Sequence, residues 1–213
     1  MATLFERLND IEMPTQGKSN EWYTPSRYVE AAREVMNGID LDPASCEVAN
    51  KIVQARRYYT ESQNGLVQDW TCVSMWLNPP YGRENNENSK GTCPGGGRRG
   101  GGGRSVTALF ISKLLQEYQD GNVKQAILLI TTDTDATWFQ PLWNYPICFT
   151  NHRVLFIRPD QPRQSQFFGT AFVYLGPNES AFIEHFGQFG RIAKAIDTPK
   201  PKPIIRTLWE VEE

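Results

Sequence analysis

The run Val73-Ser74-Met75-Trp76-Leu77 stops abruptly at Asn78-Pro79-Pro80-Tyr81, and this junction constrains the fold more than any other stretch. Consecutive prolines remove two backbone donors and hold the chain extended, so a strand that enters them must end there. A second apolar run, Gln125 to Ile130, lacks alternation and reads as a strand buried on both faces. Before it, Ser105 reads as the N-cap of a helix with Val106, Leu109, Phe110, Leu114 and Tyr118 on one face, ended by Gly121. Upstream, Thr24-Pro25 reads as an N-cap with proline at the first helical position. Tyr28, Val29, Ala32, Val35 and Met36 then share a face, and Gly38 supplies the stop. Strands alternating with helices predict an α/β domain built on a mostly parallel sheet.

A short strand, Ile39 to Leu41, runs into Asp42-Pro43-Ala44-Ser45. A helical turn and a β-like stretch around Ile52 to Tyr59 follow, and then Asp69-Trp70. Beyond Ile130 come helical residues from Asp135 to Trp143, strands at Ile147 to Thr150, Arg153 to Ile157 and Thr170 to Leu175, and a helix from Asn178 to Phe189. This strand-rich end predicts an antiparallel finish to the sheet. With 213 residues the expectation is one domain over residues 21–197. A polar lead-in (1–20) precedes it, a Gly/Arg-rich insertion (84–104) interrupts it, and a tail (198–213) follows.

The formal charge of −2 excludes a histone-like basic coat but leaves room for a local basic patch. Four cysteines (Cys46, Cys72, Cys93, Cys148) form no C-x-x-C pair and the two histidines, His152 and His185, stand apart, so no metal is expected. No run reaches 18 apolar residues and the start does not read as a signal peptide, which predicts a soluble, cytoplasmic protein with no membrane partner. Nothing in the chain fixes an oligomeric state. Trp138 and Trp143 read as packing residues, and Lys113 as a lysine whose stem lies on the core.

Asn78-Pro79-Pro80-Tyr81 sits at the carboxyl end of a strand, where open α/β sheets bind ligands. The arrangement suits transfer to a planar, conjugated amine, whose lone pair is delocalised and poorly nucleophilic. An Asn oxygen and a backbone carbonyl can each accept one N–H and so favour a pyramidal nitrogen. The two prolines fix where that carbonyl points, and Tyr81 offers a flat face for an extruded base. The plain alternative is a strand-ending turn with a chance tyrosine beside it.

The tetrapeptide resembles the signature of amino-group methyltransferases. Together with Glu21-Trp22-Tyr23-Thr24-Pro25, Ile39-Asp40-Leu41-Asp42-Pro43-Ala44-Ser45, Asn64-Gly65-Leu66 and Asp69-Trp70, it is similar to the phage-encoded DNA N6-adenine methyltransferases of the Dam-like family. A looser likeness runs through Thr131-Thr132-Asp133-Thr134 and Arg153-Val154-Leu155-Phe156. The resemblance implies a Rossmann-like sheet, S-adenosylmethionine as cofactor and adenine in DNA as substrate. It implies catalytic roles for Asn78, Pro79, Pro80 and Tyr81, and cofactor contacts from Tyr23, Thr24, Pro25, Asp40, Asp42, Pro43, Ala44 and Asp69. Asp42-Pro43-Ala44 stands where many methyltransferases carry a glycine-rich loop. The same signature also occurs in enzymes that methylate RNA bases or a protein glutamine amide, and a binding protein that has lost turnover is a further reading.

The insertion holds eight glycines between Gly91 and Gly103. Over residues 83–104 five basic side chains, Arg83, Arg98, Arg99 and Arg104 with Lys90, face two acidic ones. It reads either as a tolerated surface expansion or as a mobile basic arm that tracks DNA phosphates. Its charge and its position after Tyr81 favour the arm.

Overall fold

The computed structural model describes residues 22–81, 105–158, 161–165 and 168–196. The lead-in, the tail and the insertion with Arg83, Arg98, Arg99 and Arg104 lie outside them.

Seven strands form one sheet in the order β2-β1-β3-β4-β8-β5-β9. They are β1 (Leu41–Asp42), β2 (Arg57–Tyr58), β3 (Cys72–Leu77), β4 (Val123–Thr131), β5 (Ile147–Thr150), β8 (Thr170–Leu175) and β9 (Gly190–Ala193). β2, β1, β3 and β4 pair in parallel, whereas β8 runs antiparallel to both β4 and β5, and β9 antiparallel to β5. A parallel half followed by an antiparallel finish is the expected α/β architecture. A separate antiparallel pair joins β6 (Leu155–Arg158) to β7 (Gln161–Ser165).

The apolar runs lack alternation because both faces of the sheet are covered. On one face Trp76, Ile127, Leu129, Phe172 and Tyr174 pack under α1 (Ser26–Met36), α2 (Glu47–Val53) and α4 (Glu179–Phe186). On the other, Met75, Leu77, Ala126, Leu128, Ile130 and Val173 pack under α3 (Val106–Gln119) and the short 3₁₀ helix Gln140–Asn144. Each strand therefore sends alternate residues into two apolar layers.

Several boundaries differ from the expected ones. Ser105 caps α3 as foreseen, its side chain accepting from the Ala108 N–H. At α1 the proline stands one place earlier than expected: Pro25 is the N-cap with an extended ψ of 141°, and no side chain caps the helix. The stop is set by Asn37 in the left-handed region (φ 57°), followed by Gly38 at φ 109°. Ile52 and Val53 belong to α2 rather than to a strand, and β2 is confined to two residues. The Asn178 helix ends at Phe186, and Gly190–Ala193 continues as an edge strand.

Asn64-Gly65-Leu66 and Asp69-Trp70 have a shared structural role. A Cβ on Gly65 would lie 1.9 Å from the Pro43 carbonyl oxygen, so this backbone presses on the chain leaving β1. The buried Trp70 indole donates to the Gly65 carbonyl at 2.7 Å and holds it there. Lys113 of α3, read from the sequence as lying along the core, donates to the carbonyls of Leu66 (3.0 Å) and Gln68 (2.7 Å) and stands over the Trp70 ring. Gly65→Ala should therefore push the Pro43 turn outward and lower stability by about 1–3 kcal/mol, the usual cost of overpacking. Urea unfolding checks this: a midpoint equal to wild type would show that the turn yields without cost.

Candidate active site

The chain leaves β1 toward β2 on one side and returns to β3 on the other. That reversal opens a crevice beyond the carboxyl ends of β1 and β3. Asp42-Pro43-Ala44 leaves β1 there, and Asn78-Pro79-Pro80-Tyr81 leaves β3 beside it. A third segment, Trp22-Tyr23-Thr24, closes the crevice. Tyr23 exchanges two backbone hydrogen bonds of 2.9 Å with Ile157 of β6. The Cys46 thiol, four residues past Asp42, reaches the Tyr23 hydroxyl at 3.8 Å. Thr24 is buried directly ahead of α1.

Asn78 ties two of these segments together. Its Nδ2 donates to the Trp22 carbonyl at 3.4 Å. A carbonyl can only accept, so this contact fixes which end of the amide is which. The opposite end, Oδ1, is buried and has no hydrogen-bond partner among the described residues. Its lone pairs are thus held out of water at the carboxyl end of β3. Pro79 is buried, and the Thr107 hydroxyl of α3 donates to the Pro80 carbonyl at 2.9 Å. The tetrapeptide is braced from both sides.

Tyr81 keeps 36% of its surface open. Desolvation first, and the Asp133 carboxylate second, push its phenol well above its ordinary value. Asp133 follows β4 and accepts from the Thr131 hydroxyl at 3.0 Å, so a third parallel strand end contributes to the crevice.

Asp42 is 2% exposed. Its carboxylate accepts from the Ala44 N–H at 3.2 Å, and no cationic side chain pairs with it among the described residues. Burial pushes its carboxyl up to about 7, offset only in part by Ser45 and the Ala44 N–H. A buried acid poised near neutrality without a counter-charge is suited to a cationic ligand group.

The other two acids occupy different places. Asp40 accepts from the N–H groups of Val73 (3.1 Å) and Ser74 (3.2 Å) and pairs with Arg56 at 3.2 Å. It clamps the entry of β1 to β3, and its oxygens are already engaged. Asp69 stands three residues before β3. It is exposed, caps Thr71 and pairs with Arg57. The Thr71 N–H, then its hydroxyl, hold the carboxyl below its ordinary range. The structure thus gathers Tyr23, Thr24, Asp42, Pro43 and Asn78 to Tyr81, with Pro25 and Ala44 adjoining in the chain, and leaves Asp40 and Asp69 outside the group.

A family model described as DNA N-6-adenine-methyltransferase (Dam) matches residues 13–177. The chain belongs to this Dam family. No curated protein matches it. One solved structure, from Listeria monocytogenes and provisionally assigned there as a class I S-adenosylmethionine-dependent methyltransferase, is similar at 13% identity with a TM-score of 0.40. The alignment covers 84% of this chain and 63% of that one. Among the described residues of this Dam-family chain, no helix is long and apolar enough to cross a membrane, and no three His, Cys, Asp or Glu side chains gather as metal ligands.

Three contributors carried no assigned role in the sequence: Gly65 under the Pro43 turn, Thr107 on the Pro80 carbonyl, and Asp133 beside Tyr81. The Ser105 cap was the usable signal for Thr107, since it places position 107 in the first turn of a helix facing the tetrapeptide. No local signal marks Gly65, because its constraint is a contact made across the fold.

The raised Asp42 value has a defined pH signature. Below about 4 both folded and unfolded chains hold this proton. Between about 4 and about 7 the folded chain holds it and the unfolded chain does not, so Asp42's contribution falls as pH rises and is lost above about 7. Asp42→Asn should therefore gain stability relative to wild type on going from pH 5 to pH 8. Urea midpoints at the two values measure it, and an unchanged difference would show that Asp42 ionises normally.

Proposed function

We propose that this protein transfers a methyl group from S-adenosylmethionine to the N6 amine of adenine in DNA. Membership of the Dam family supports the substrate. The observation that carries the reading is the buried Asn78 Oδ1 at the carboxyl end of β3, without a hydrogen-bond partner among the described residues. A buried acceptor left without a donor costs about 1–3 kcal/mol, and an incoming N–H offsets that cost. In this reading Asn78 Oδ1 accepts one hydrogen of the adenine amine and the Pro79 carbonyl accepts the other. Both bonds strengthen as the nitrogen becomes pyramidal and its lone pair localises. Tyr81 stacks on the extruded base and excludes water from its face. Preorganised acceptors of this kind stabilise the transition state more than the ground state.

The residues present fit the cofactor. It supplies an electrophilic methyl on a sulfonium and carries an ammonium and a carboxylate on its methionine arm. Asp42, buried and without a cationic partner, takes the ammonium. Tyr23, Thr24 and Pro25 form the wall at the start of α1, where free N–H groups suit an anion, and Pro43 and Ala44 shape the floor. Asp40 and Asp69, engaged with backbone N–H groups, are assigned no cofactor contact. Arg83, Arg98, Arg99 and Arg104, which follow Tyr81 in the sequence, are assigned to DNA phosphates.

The test is methyl transfer from labelled S-adenosylmethionine to DNA, RNA and total protein side by side, with nucleoside analysis of the product. N6-methyladenine in DNA is expected. Label confined to RNA or protein would overturn the substrate, and no transfer to any of them would favour a binding protein. Tyr81→Phe should retain activity because it keeps the stacking face. Tyr81→Ala should lose roughly tenfold or more, as expected when base stacking worth about 1–3 kcal/mol is removed. Equal rates for the two variants would show that no base stacks there.

A further inference from the structure

Among the described residues two buried side-chain polar atoms lack a hydrogen-bond partner: Asn78 Oδ1 and Ser45 Oγ. Buried polar atoms are nearly always paired, so the second needs a reason as much as the first. The two follow neighbouring strands. Asn78 comes directly after β3, and Ser45 stands three residues past β1, which pairs in parallel with β3 through Leu41 and Met75. Both therefore belong to segments leaving the carboxyl edge of the sheet, where open α/β sheets bind ligands.

A serine ahead of a helix ordinarily caps it, its oxygen accepting from a backbone N–H of the first turn. Ser45 does not. The N-cap of α2 is Cys46, whose Sγ accepts from the Ala49 N–H at 3.4 Å. Ser45 stands one place too early, and its hydroxyl is left over. The turn that carries it is held firmly. The Ser45 N–H donates to the Tyr59 carbonyl at 2.9 Å, and the Tyr59 N–H donates to the Asp42 carbonyl at 3.0 Å. The Ala44 N–H donates to Asp42 Oδ1 at 3.2 Å, and the Gly65 backbone presses on the Pro43 carbonyl.

Asp42 belongs to the same turn. Burial raises its carboxyl and Ser45 lowers it in part, so the two side chains stand close together. No hydrogen bond joins them. A hydroxyl and a carboxylate held side by side and unjoined offer acceptors on both sides of one incoming donor. An anion would be repelled by Asp42, and a neutral hydroxyl brings a single donor. A primary ammonium brings three N–H donors and a positive charge, and can engage both groups at once.

We propose that Ser45 is a further cofactor-binding residue, its Oγ accepting an N–H of the methionine ammonium beside the Asp42 carboxylate. The inference rests on the cofactor assigned above.

The test is calorimetry on the full chain, wild type and Ser45→Ala, with two probes. One is S-adenosylhomocysteine, which carries the same ammonium. The other is its analogue with hydrogen in place of the amino group. Ser45→Ala should bind S-adenosylhomocysteine roughly tenfold or more weakly, the usual effect of losing a hydrogen bond to a charged group. Its affinity for the deaminated analogue should stay within about twofold of wild type. Urea unfolding without ligand separates binding from a structural role. An oxygen without a partner adds nothing to the free fold, so the Ser45→Ala midpoint should equal or exceed that of wild type. Unchanged affinity for S-adenosylhomocysteine, an equal loss with both probes, or a lower midpoint without ligand would overturn the role of Ser45. A wild type that binds neither probe would overturn the cofactor reading itself, and the role of Ser45 with it.

Discussion

Asn78 donates its amide N–H to the Trp22 carbonyl and keeps its oxygen buried without a donor among the described residues. Most buried polar atoms are paired, so an exception needs a reason. Here the unsatisfied atom stands at the carboxyl edge of a sheet, in the crevice where the strand order reverses. An acceptor that is already desolvated and already oriented requires no rearrangement when an amine arrives. The remaining features of the site hold that single oxygen in place.

The support comes from elements distant in sequence. Two prolines end β3, and Thr107 holds the Pro80 carbonyl. The β6 strand fixes Tyr23, which sets the Trp22 carbonyl that receives the Asn78 amide. On the other wall, the Trp70 indole and Lys113 lock the Gly65 backbone under Pro43, directly after Asp42. Asp42 itself is destabilised by burial and stays near neutrality. Asp42 leaves β1 and Asn78 leaves the neighbouring β3, one an acid without a cationic partner and the other an acceptor without a donor among the described residues. Such conflicts with local stability concentrate where a ligand binds.

Much of this was legible in the sequence. The two buried runs, the Ser105 cap and the strand-to-proline junction at Leu77-Asn78 each rest on short-range chemistry, and the structure places them as expected. β8 and β5 were legible for the same reason. What was not legible has a different cause. Asp40 and Asp69 are acids near strands in either reading, and only tertiary contacts show that both accept from backbone N–H groups. Gly65 has an ordinary backbone conformation, so nothing local signals that Pro43 lies against it. Edge strand β9 (Gly190–Ala193) and ribbon strand β7 (Gln161–Ser165) are short and carry no apolar run, and their pairing is decided by neighbours rather than by pattern.

The central claim is that Asn78 acts on chemistry rather than on cofactor binding. Single-turnover methylation of DNA by Asn78→Ala, measured beside an S-adenosylmethionine titration, tests it most directly. The account predicts a loss of roughly 10²–10³ in rate, the usual effect of removing one preorganised hydrogen bond at a reacting centre, with cofactor affinity within a few fold. Asn78→Asp, which still presents an acceptor, should lose less. Methylation by Asn78→Ala at a near wild-type rate would contradict the account and reduce Asn78-Pro79-Pro80-Tyr81 to the turn that ends a strand.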